Sequence, residues 1–167
     1  MSEGHNIVNH RTRLIRPEDN PAVAQIIRQV MTEFGAVGCG FSIEDTEVES
    51  MFEAYPAPDS AFFVIERDGR LLGCGGVGPL AGGEPGVCEL RKMYFLRELR
   101  GSGLGTRLLK ILLNTARDAG YTSCYLETMD NMSQARQLYL KYGFKLIESP
   151  LGNTGHGSCN RFMAMDL

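Results

Sequence analysis

The chain has 167 residues, of which 43% are hydrophobic, which is enough for one hydrophobic core and a single domain. A net charge of −3 and a pI near 5.6 leave no excess of basic residues for binding nucleic acid. The first residues are polar, and no apolar run approaches the roughly 18 residues of a membrane-spanning helix. These features favour a small-molecule substrate and a cytoplasmic protein that contacts neither nucleic acid nor membrane.

The cysteines argue against a metal site. They are odd in number, lie far apart and form no C-x-x-C pair. We therefore expect no zinc and a reducing compartment. The five residues are Cys39, Cys74, Cys88, Cys124 and Cys159.

The N-terminal region predicts a strand followed by a helix. Residues 1–10 are expected to form a loose tail ahead of one domain over residues 11–167. A strand at residues 12–16 ends at Pro17. Apolar residues then recur at helical spacing over residues 21–31, which predicts an amphipathic helix.

A glycine-bearing loop at residues 35–40 is followed by a second predicted helix at residues 42–54 and a turn at residues 55–59. Strands at residues 61–66 and 70–77 then flank an Asp-Gly pair, which is a strong hairpin signal.

The C-terminal half predicts alternating strands and helices. A strand at residues 87–96 leads into a glycine-rich turn and an amphipathic helix. A strand at residues 122–128 and a short helix ending at Gly143 follow. Two final strands, at residues 145–148 and 161–167, complete an α/β chain of mixed sheet with helices on both faces.

The glycine-rich turn is typical of a pyrophosphate-binding site. Gly101, Gly103 and Gly105 allow close approach of a ligand, and their N–H groups can converge on an anion. The helix that follows presents its positive end to the same place, and Arg100 adds a full charge. The ligand is therefore expected to carry phosphates.

ATP and NAD are both disfavoured as the phosphate-bearing ligand. A P-loop needs Lys and then Ser or Thr after its final glycine, whereas Gly105 is followed by Thr106 and Arg107. A dinucleotide fingerprint needs a third Gly or Ala, but the two possible registers have Thr106 and Leu108 there.

The pattern Arg100-x-x-Gly103-x-Gly105 resembles the acyl-CoA-binding motif of the GNAT superfamily of N-acetyltransferases. A second segment, from Ala135 to Phe144, is similar to another signature of that family, Ala-x-x-Leu-Tyr-x-x-x-Gly-Phe. The resemblance spans about residues 87–144, and the N-terminal third matches only in the order of its elements. It implies the GNAT fold, a central mixed, mostly antiparallel twisted sheet of about six to seven strands with helices on both faces, and acetyl-CoA as co-substrate.

The resemblance also implies which residues hold acetyl-CoA. The backbone near residues 93–95 is expected to pair with the pantetheine arm like an added strand, and the glycine turn to hold the pyrophosphate. Asn131 lies one residue earlier than the usual family spacing to Ala135. The expected contacts are Met93, Tyr94, Phe95, Arg100, Gly101, Ser102, Gly103, Leu104, Gly105, Thr106, Asn131 and Tyr139.

Glu89 is the candidate general base. The resemblance to the GNAT family implies that an acidic residue at this position often takes the proton of the amine, directly or through water. Strict alternation along the strand predicts one face shared by Glu89, Arg91, Met93 and Phe95. The alternative is that Glu89 only forms an ion pair with Arg91.

Tyr139 is the candidate general acid, because it falls where the family places a tyrosine near the CoA sulfur. A phenol of pKa about 10 can donate a hydrogen bond to a leaving thiolate while remaining neutral. The alternative is a tyrosine that only packs in the core.

The acceptor is the least defined part of the prediction. His156, in the loop at residues 151–160, could act as a base or bind a substrate carboxylate, or the loop could be solvent-exposed with no chemical role for His156 or Cys159. Arg91 could hold a carboxylate bidentately.

The resemblance favours a small-molecule amine, with a free L-amino acid as first choice. A protein N-terminal or lysine acetyltransferase and a non-catalytic CoA-binding module are the alternatives, and exchange of terminal strands could form a homodimer.

Overall fold

The computed structural model describes residues 9–167, which form one seven-stranded sheet and three α-helices. The expected tail at residues 1–10 lies outside the described residues except for Asn9 and His10, and His10 already begins the first strand. The strands are β1 (His10–Leu14), β2 (Ala61–Arg67), β3 (Arg70–Pro79), β4 (Val87–Phe95), β5 (Ser123–Thr128), β6 (Lys145–Ile147) and β7 (Arg161–Asp166). The helices are α1 (Asn20–Glu33), α2 (Leu104–Asp118) and α3 (Ser133–Lys141).

The sheet is mixed and mostly antiparallel, as expected. Its strand order is β1-β2-β3-β4-β5-β7-β6, and β4–β5 is the one parallel pair among the strands of residues 9–167. The parallel pair requires a crossover, which α2 supplies on one face of the sheet. The predicted α/β fold class is confirmed.

The two faces of the sheet are covered by different helices. A Cβ atom added at Gly75 of β3 would lie 3.1–3.2 Å from Leu108 and Leu112, so the absence of a side chain there lets α2 pack close to the strand. The buried face of α1 covers the other side of the sheet through residues such as Ile27 and Met31. No helix of the described chain has the length and hydropathy needed to cross a bilayer.

The predicted helix at residues 42–54 is wrong. The structure has two short 3-10 turns there, Ser42–Glu44 and Thr46–Glu49, separated by Asp45 in an extended conformation. Two of the apolar residues that suggest a helix, Val48 and Met51, are buried in the core, whereas Phe52 is exposed. The extended backbone at Asp45 aims its carboxylate at β4, and this tertiary contact outweighs the local helical pattern.

The expected alternation along β4 is also wrong, because the strand contains a β-bulge. Cys74 pairs with Tyr94 but Gly76 pairs with Arg91, so three steps on β4 oppose two on β3, and Lys92 has a φ of 54°. Because of the extra residue, side chains after the bulge point to the opposite face of the sheet from the one that strict alternation predicts. Arg91 lies on the face of Tyr55, whereas Phe95 lies on the opposite face with α2.

The bulge lies next to a gap in the sheet. β4 and β5 pair only at three positions, from Val87–Ser123 to Glu89–Tyr125. Beyond them β5 continues to pair with β7, while β4 and β5 separate. The sheet therefore opens beside the bulge, and both cavities of the site lie around that opening.

Candidate active site

The larger cavity has a volume of about 480 Å³ and lies between the end of β4, the glycine turn and α3. Eight of the twelve residues predicted to hold acetyl-CoA line it. They are Met93, Tyr94, Phe95, Arg100, Gly101, Gly105, Asn131 and Tyr139. Its other walls, which the sequence did not indicate, come mainly from α1 and α3 and include Val30, Phe34, Met132 and Leu138.

The glycine turn has the geometry of an anion site. Gly103 is the N-cap residue of α2 with a φ of 81°, a left-handed conformation that an L side chain resists. Ser102 closes the turn, since its Oγ donates to the carbonyl of Leu99 at 2.5 Å and accepts from the N–H of Leu104 at 3.4 Å. Ser102, Gly103, Leu104 and Thr106 thus shape the first turn of α2 rather than line the cavity wall.

Arg100 is held by an acid that the sequence analysis did not consider. Its Nη1 and Nη2 donate to the carboxylate of Glu33 at 2.6 and 3.0 Å, and its Nε donates to the Phe95 carbonyl at 3.0 Å. Hydrogen bonds from Arg100 and then Arg97 lower the pKa of Glu33 to about 2. The expected free charge at the cavity mouth is therefore partly neutralised, and Arg100 ties the glycine turn to α1.

Tyr139 and Asn131 meet the larger cavity from the α3 side. Tyr139 is 6% exposed, packs edge-on against Phe144 with ring centroids 5.7 Å apart, and burial raises its pKa above the ordinary value. The phenol is therefore neutral at pH 7 and able to donate a hydrogen bond. Asn131 donates from Nδ2 to the carbonyl of Phe34 at 2.7 Å, which links the start of α3 to the end of α1.

The smaller cavity, of about 50 Å³, lies on the other side of the opening. Tyr94 and Met132 line both cavities, so the two spaces adjoin at these side chains, which form a shared wall. The hydroxyl groups of Tyr94 and Ser42 lie 3.0 Å apart, which anchors this junction. The acidic and basic residues that line the smaller cavity are Glu89, Arg91, Lys92, Glu127 and His156.

Glu89 is buried in the smaller cavity, with 5% of its surface exposed. Burial raises its pKa to about 7; the charge of Arg91 lowers it, and that of Glu127 raises it further. Arg91 Nε lies 3.0 Å from Glu89 Oε2. The ion pair with Arg91 is therefore present, but the carboxyl group also faces a cavity and has a pKa near neutrality.

Arg91 is already engaged by the protein. Its Nη2 donates to the carbonyl of Pro79 at 2.5 Å, and its guanidinium carbon lies 5.5 Å from the ring centroid of Tyr55. Both Arg91 and Glu89 line the smaller cavity, as their shared face predicts. Nε makes no hydrogen bond within the described residues, so Arg91 keeps a donor that a substrate carboxylate could use, although Glu89 lies beside it.

His156 is not in a solvent-exposed loop, since only 11% of its side chain is exposed. Its Nε2 lies 2.9 Å from Asp45 Oδ1, and the hydrogen bond to Asp45 raises its pKa. Lys92 pairs with the same Asp45 and is 1% exposed. The side chains of Asp45, Lys92 and Glu127 are functional candidates that the sequence analysis missed.

Cys159 lines the smaller cavity as a neutral thiol. Burial raises its pKa to about 12, so it lacks the thiolate character that an acyl-accepting nucleophile needs. This agrees with a route in which the acyl group does not pass through a cysteine.

Comparison with known proteins identifies the family. A model of the Acetyltransferase (GNAT) family matches residues 24–144. The chain belongs to this family. It is 40% identical over 156 residues to the Escherichia coli protein "Uncharacterized N-acetyltransferase YjgM", covering 93% of both chains. The "IAA acetyltransferase" of Azospirillum brasilense is 34% identical over 110 residues, which cover 66% of this chain and 70% of that one.

Solved structures show the same fold. A GNAT-family acetyltransferase from Staphylococcus aureus superposes with a TM-score of 0.83 at 19% identity, covering 95% of this chain and 99% of that one. N-acetylglutamate synthase from Neisseria gonorrhoeae, complexed with coenzyme A and N-acetyl-glutamate, has a TM-score of 0.73 at 20% identity over 95% of this chain and 35% of that one. The protein is an N-acetyltransferase.

Proposed function

We propose that this enzyme transfers the acetyl group of acetyl-CoA directly to a primary amine of a small molecule. The observation that carries the proposal is the meeting of two unlike cavities at Tyr94 and Met132. The larger has the glycine turn and the neutral phenol of Tyr139, and the smaller has the titrating carboxyl group of Glu89. Donor and acceptor would therefore meet in the opening between β4 and β5.

The chain fits acetyl-CoA on the larger side. The amide groups at the start of α2 suit a pyrophosphate, and the exposed backbone of β4 beyond its pairing with β5 suits the amide-bearing pantetheine arm. Bound acetyl-CoA supplies an activated acyl carbon as a thioester.

Glu89 is assigned as the general base. A primary ammonium of pKa near 10 is mostly protonated at pH 7 and must lose a proton before it attacks. A carboxyl group with a pKa of about 7 is close to the value at which a base is both deprotonated and able to hold the proton.

Tyr139 is assigned as the general acid. Its phenol remains protonated at neutral pH because burial raises its pKa. It lies on the wall of the larger cavity and can donate a proton or a hydrogen bond to the leaving sulfur.

The finer identity of the acceptor depends on Arg91. A free L-amino acid, the first choice from the sequence, needs a cation for its carboxylate, and Arg91 could serve only with the carboxyl group of Glu89 beside it, 3.0 Å from its Nε. A protein N-terminus or lysine would have to reach Glu89 through a cavity of about 50 Å³, which favours a small acceptor. The homodimer remains a proposal, which light scattering at working concentration would test.

The test is thiol release from acetyl-CoA against free amino acids, polyamines, aminoglycosides and short peptides, beside calorimetric binding of CoA. We expect CoA binding and turnover with one class of small amine. Turnover with peptides alone would favour the protein acetyltransferase, and CoA binding without turnover on any acceptor would favour the non-catalytic module.

A further inference from the structure

One carboxylate oxygen in the smaller cavity has no hydrogen-bond partner. The side chain of Glu127 is 5% exposed, and its Oε2 is buried and accepts no hydrogen bond from the part of the chain described, residues 9–167. The basic nitrogen within 4 Å is Nδ1 of His156 at 3.8 Å, beyond hydrogen-bond reach. An unpaired buried oxygen raises the free energy of the folded protein, and a bound cation would offset that.

The other oxygen of Glu127 is held firmly. Its Oε1 accepts hydrogen bonds from the hydroxyl groups of Tyr125 at 2.9 Å and Thr154 at 2.7 Å. These two bonds fix the carboxylate from β5 and from the loop before β7 at once. The direction of Oε2 is therefore preorganised, as a binding group requires.

Glu127 and Glu89 line the same cavity. Its volume of about 50 Å³ accommodates a few water molecules, or an ammonium group with the start of its alkyl stem. A group bound to Glu127 would thus lie beside the proposed base.

Each basic side chain lining this cavity already faces an acid. Arg91 Nε lies 3.0 Å from Glu89 Oε2, although it makes no hydrogen bond within the described residues, Lys92 pairs with Asp45, and Nε2 of His156 also faces Asp45. A substrate carboxylate would meet two acids here and no unpaired cation of the described residues. Like charges at short range in a buried site repel strongly.

We propose that Oε2 of Glu127 binds the ammonium group of the acceptor, and that the preferred acceptor is a primary amine with no carboxylate beside the amino group. The assignment rests on the proposed acetyl transfer. Glu127 acts as a binding and specificity-determining residue, whereas Glu89 takes the proton.

Matched acceptors and a shape-conserving variant test this. L-amino acid amides and the corresponding free L-amino acids differ in the charge beside the amino group, and kcat/KM is expressed per free amine because the amides are also less basic. We expect kcat/KM of the wild type to be at least about tenfold higher for the amides. In Glu127→Gln the amide oxygen can keep both hydrogen bonds, so we expect the KM for the amides to rise about tenfold or more with kcat within about threefold.

A binding measurement and two further variants complete the test. An amino acid amide added with CoA should raise the Tm of the wild type but not that of Glu127→Gln. Thr154→Val removes one hydrogen bond to Oε1 and should raise the KM for the amides by a smaller factor than Glu127→Gln. It keeps the assignment testable if Glu127→Gln does not fold. Glu84→Gln, at an exposed glutamate ahead of β4, should behave as the wild type.

Preference for the free amino acids, or an unchanged KM in a folded Glu127→Gln, would overturn the assignment while leaving acetyl transfer to small amines intact. Absence of turnover with every amine despite CoA binding would overturn the proposed function and this assignment together.

Discussion

The larger and smaller cavities are built from different parts of the chain. The larger one is lined mainly by two compact segments, the end of β4 with the glycine turn and residues 131–139, with one further wall from α1. The smaller one joins side chains far apart in sequence, such as His156 and Asp45, which are separated by 111 residues. Most of the larger cavity is therefore readable as a sequence motif, whereas the smaller cavity appears only when the chain is folded.

The cavities also differ in electrostatics. The larger cavity contains one pronounced ion pair at its mouth, Arg100 with Glu33, and otherwise mainly apolar and backbone groups. The smaller one concentrates five acidic and basic side chains in about a tenth of the volume. Apart from Tyr139, substitutions in the larger cavity should change CoA affinity, and substitutions in the smaller cavity should change turnover and acceptor choice.

Glu89→Gln should have the largest effect. Removing the base should lower kcat on the order of 10²- to 10⁴-fold, because the ammonium proton loses its acceptor. Steady-state kinetics checks kcat, and calorimetry should find CoA affinity within about twofold of the wild type. A kcat near the wild-type value would show that Glu89 only pairs with Arg91.

Tyr139→Phe should lower kcat by about 10²-fold, because the leaving thiolate loses its proton donor while the ring keeps its packing on Phe144. Pre-steady-state kinetics of thiol release checks the step directly. Tyr142→Phe, at a neighbouring tyrosine outside the cavity lining, is the control and should be unaffected. Equal rates for the two variants would leave Tyr139 as a packing residue.

Gly103→Ala should weaken CoA binding about 5- to 30-fold, since a left-handed L-residue costs ~1–2 kcal/mol and the turn would relax away from the phosphates. Gly120→Ala is a matched control. Both glycines have a positive φ, 81° and 88°, and neither has an atom within 4 Å of an added Cβ. Calorimetry should find normal CoA affinity for Gly120→Ala, and an equal loss in both would show that the effect is global.

Glu33→Gln should have the smallest effect, tightening CoA binding by no more than about fivefold, because it frees Arg100 for the phosphates. The gain should shrink at high salt. Glu98→Gln, which removes a partner of Arg67 and Arg70, is the control. Weaker CoA binding in Glu33→Gln would show that the ion pair instead holds the glycine turn in its binding shape.

Much of the fold could be predicted because its signals are local. The hairpin around Asp68-Gly69, the amphipathic α2 and the stop of α3 before Gly143 each depend on neighbouring residues, and each is found in the structure. The predicted helix at residues 42–54 failed because Asp45 is drawn into contact with Lys92 and His156. These contacts join residues far apart in the sequence, so no local sequence pattern predicts them.

The site shows the same division. The residues expected near acetyl-CoA lie around one cavity or in the turn beside it, since their motif is contiguous. The bulge at Lys92 could not be predicted, because one inserted residue reverses strand alternation without any marker in the sequence. Glu127 had a weak signal, since alternation along β5 places it on the face of Tyr125, which donates to it.

The pH dependence of kcat/KM tests the central claim most directly, with an acceptor amine whose own pKa is above 9. Because burial raises the pKa of Glu89 to about 7 and the base must be deprotonated, we expect kcat/KM to rise with pH and to inflect near pH 7. Glu89→Gln should lose that inflection and keep only the rise from the amine. An inflection near pH 7 that persists in Glu89→Gln, or a wild-type profile without one, would contradict Glu89 as the base.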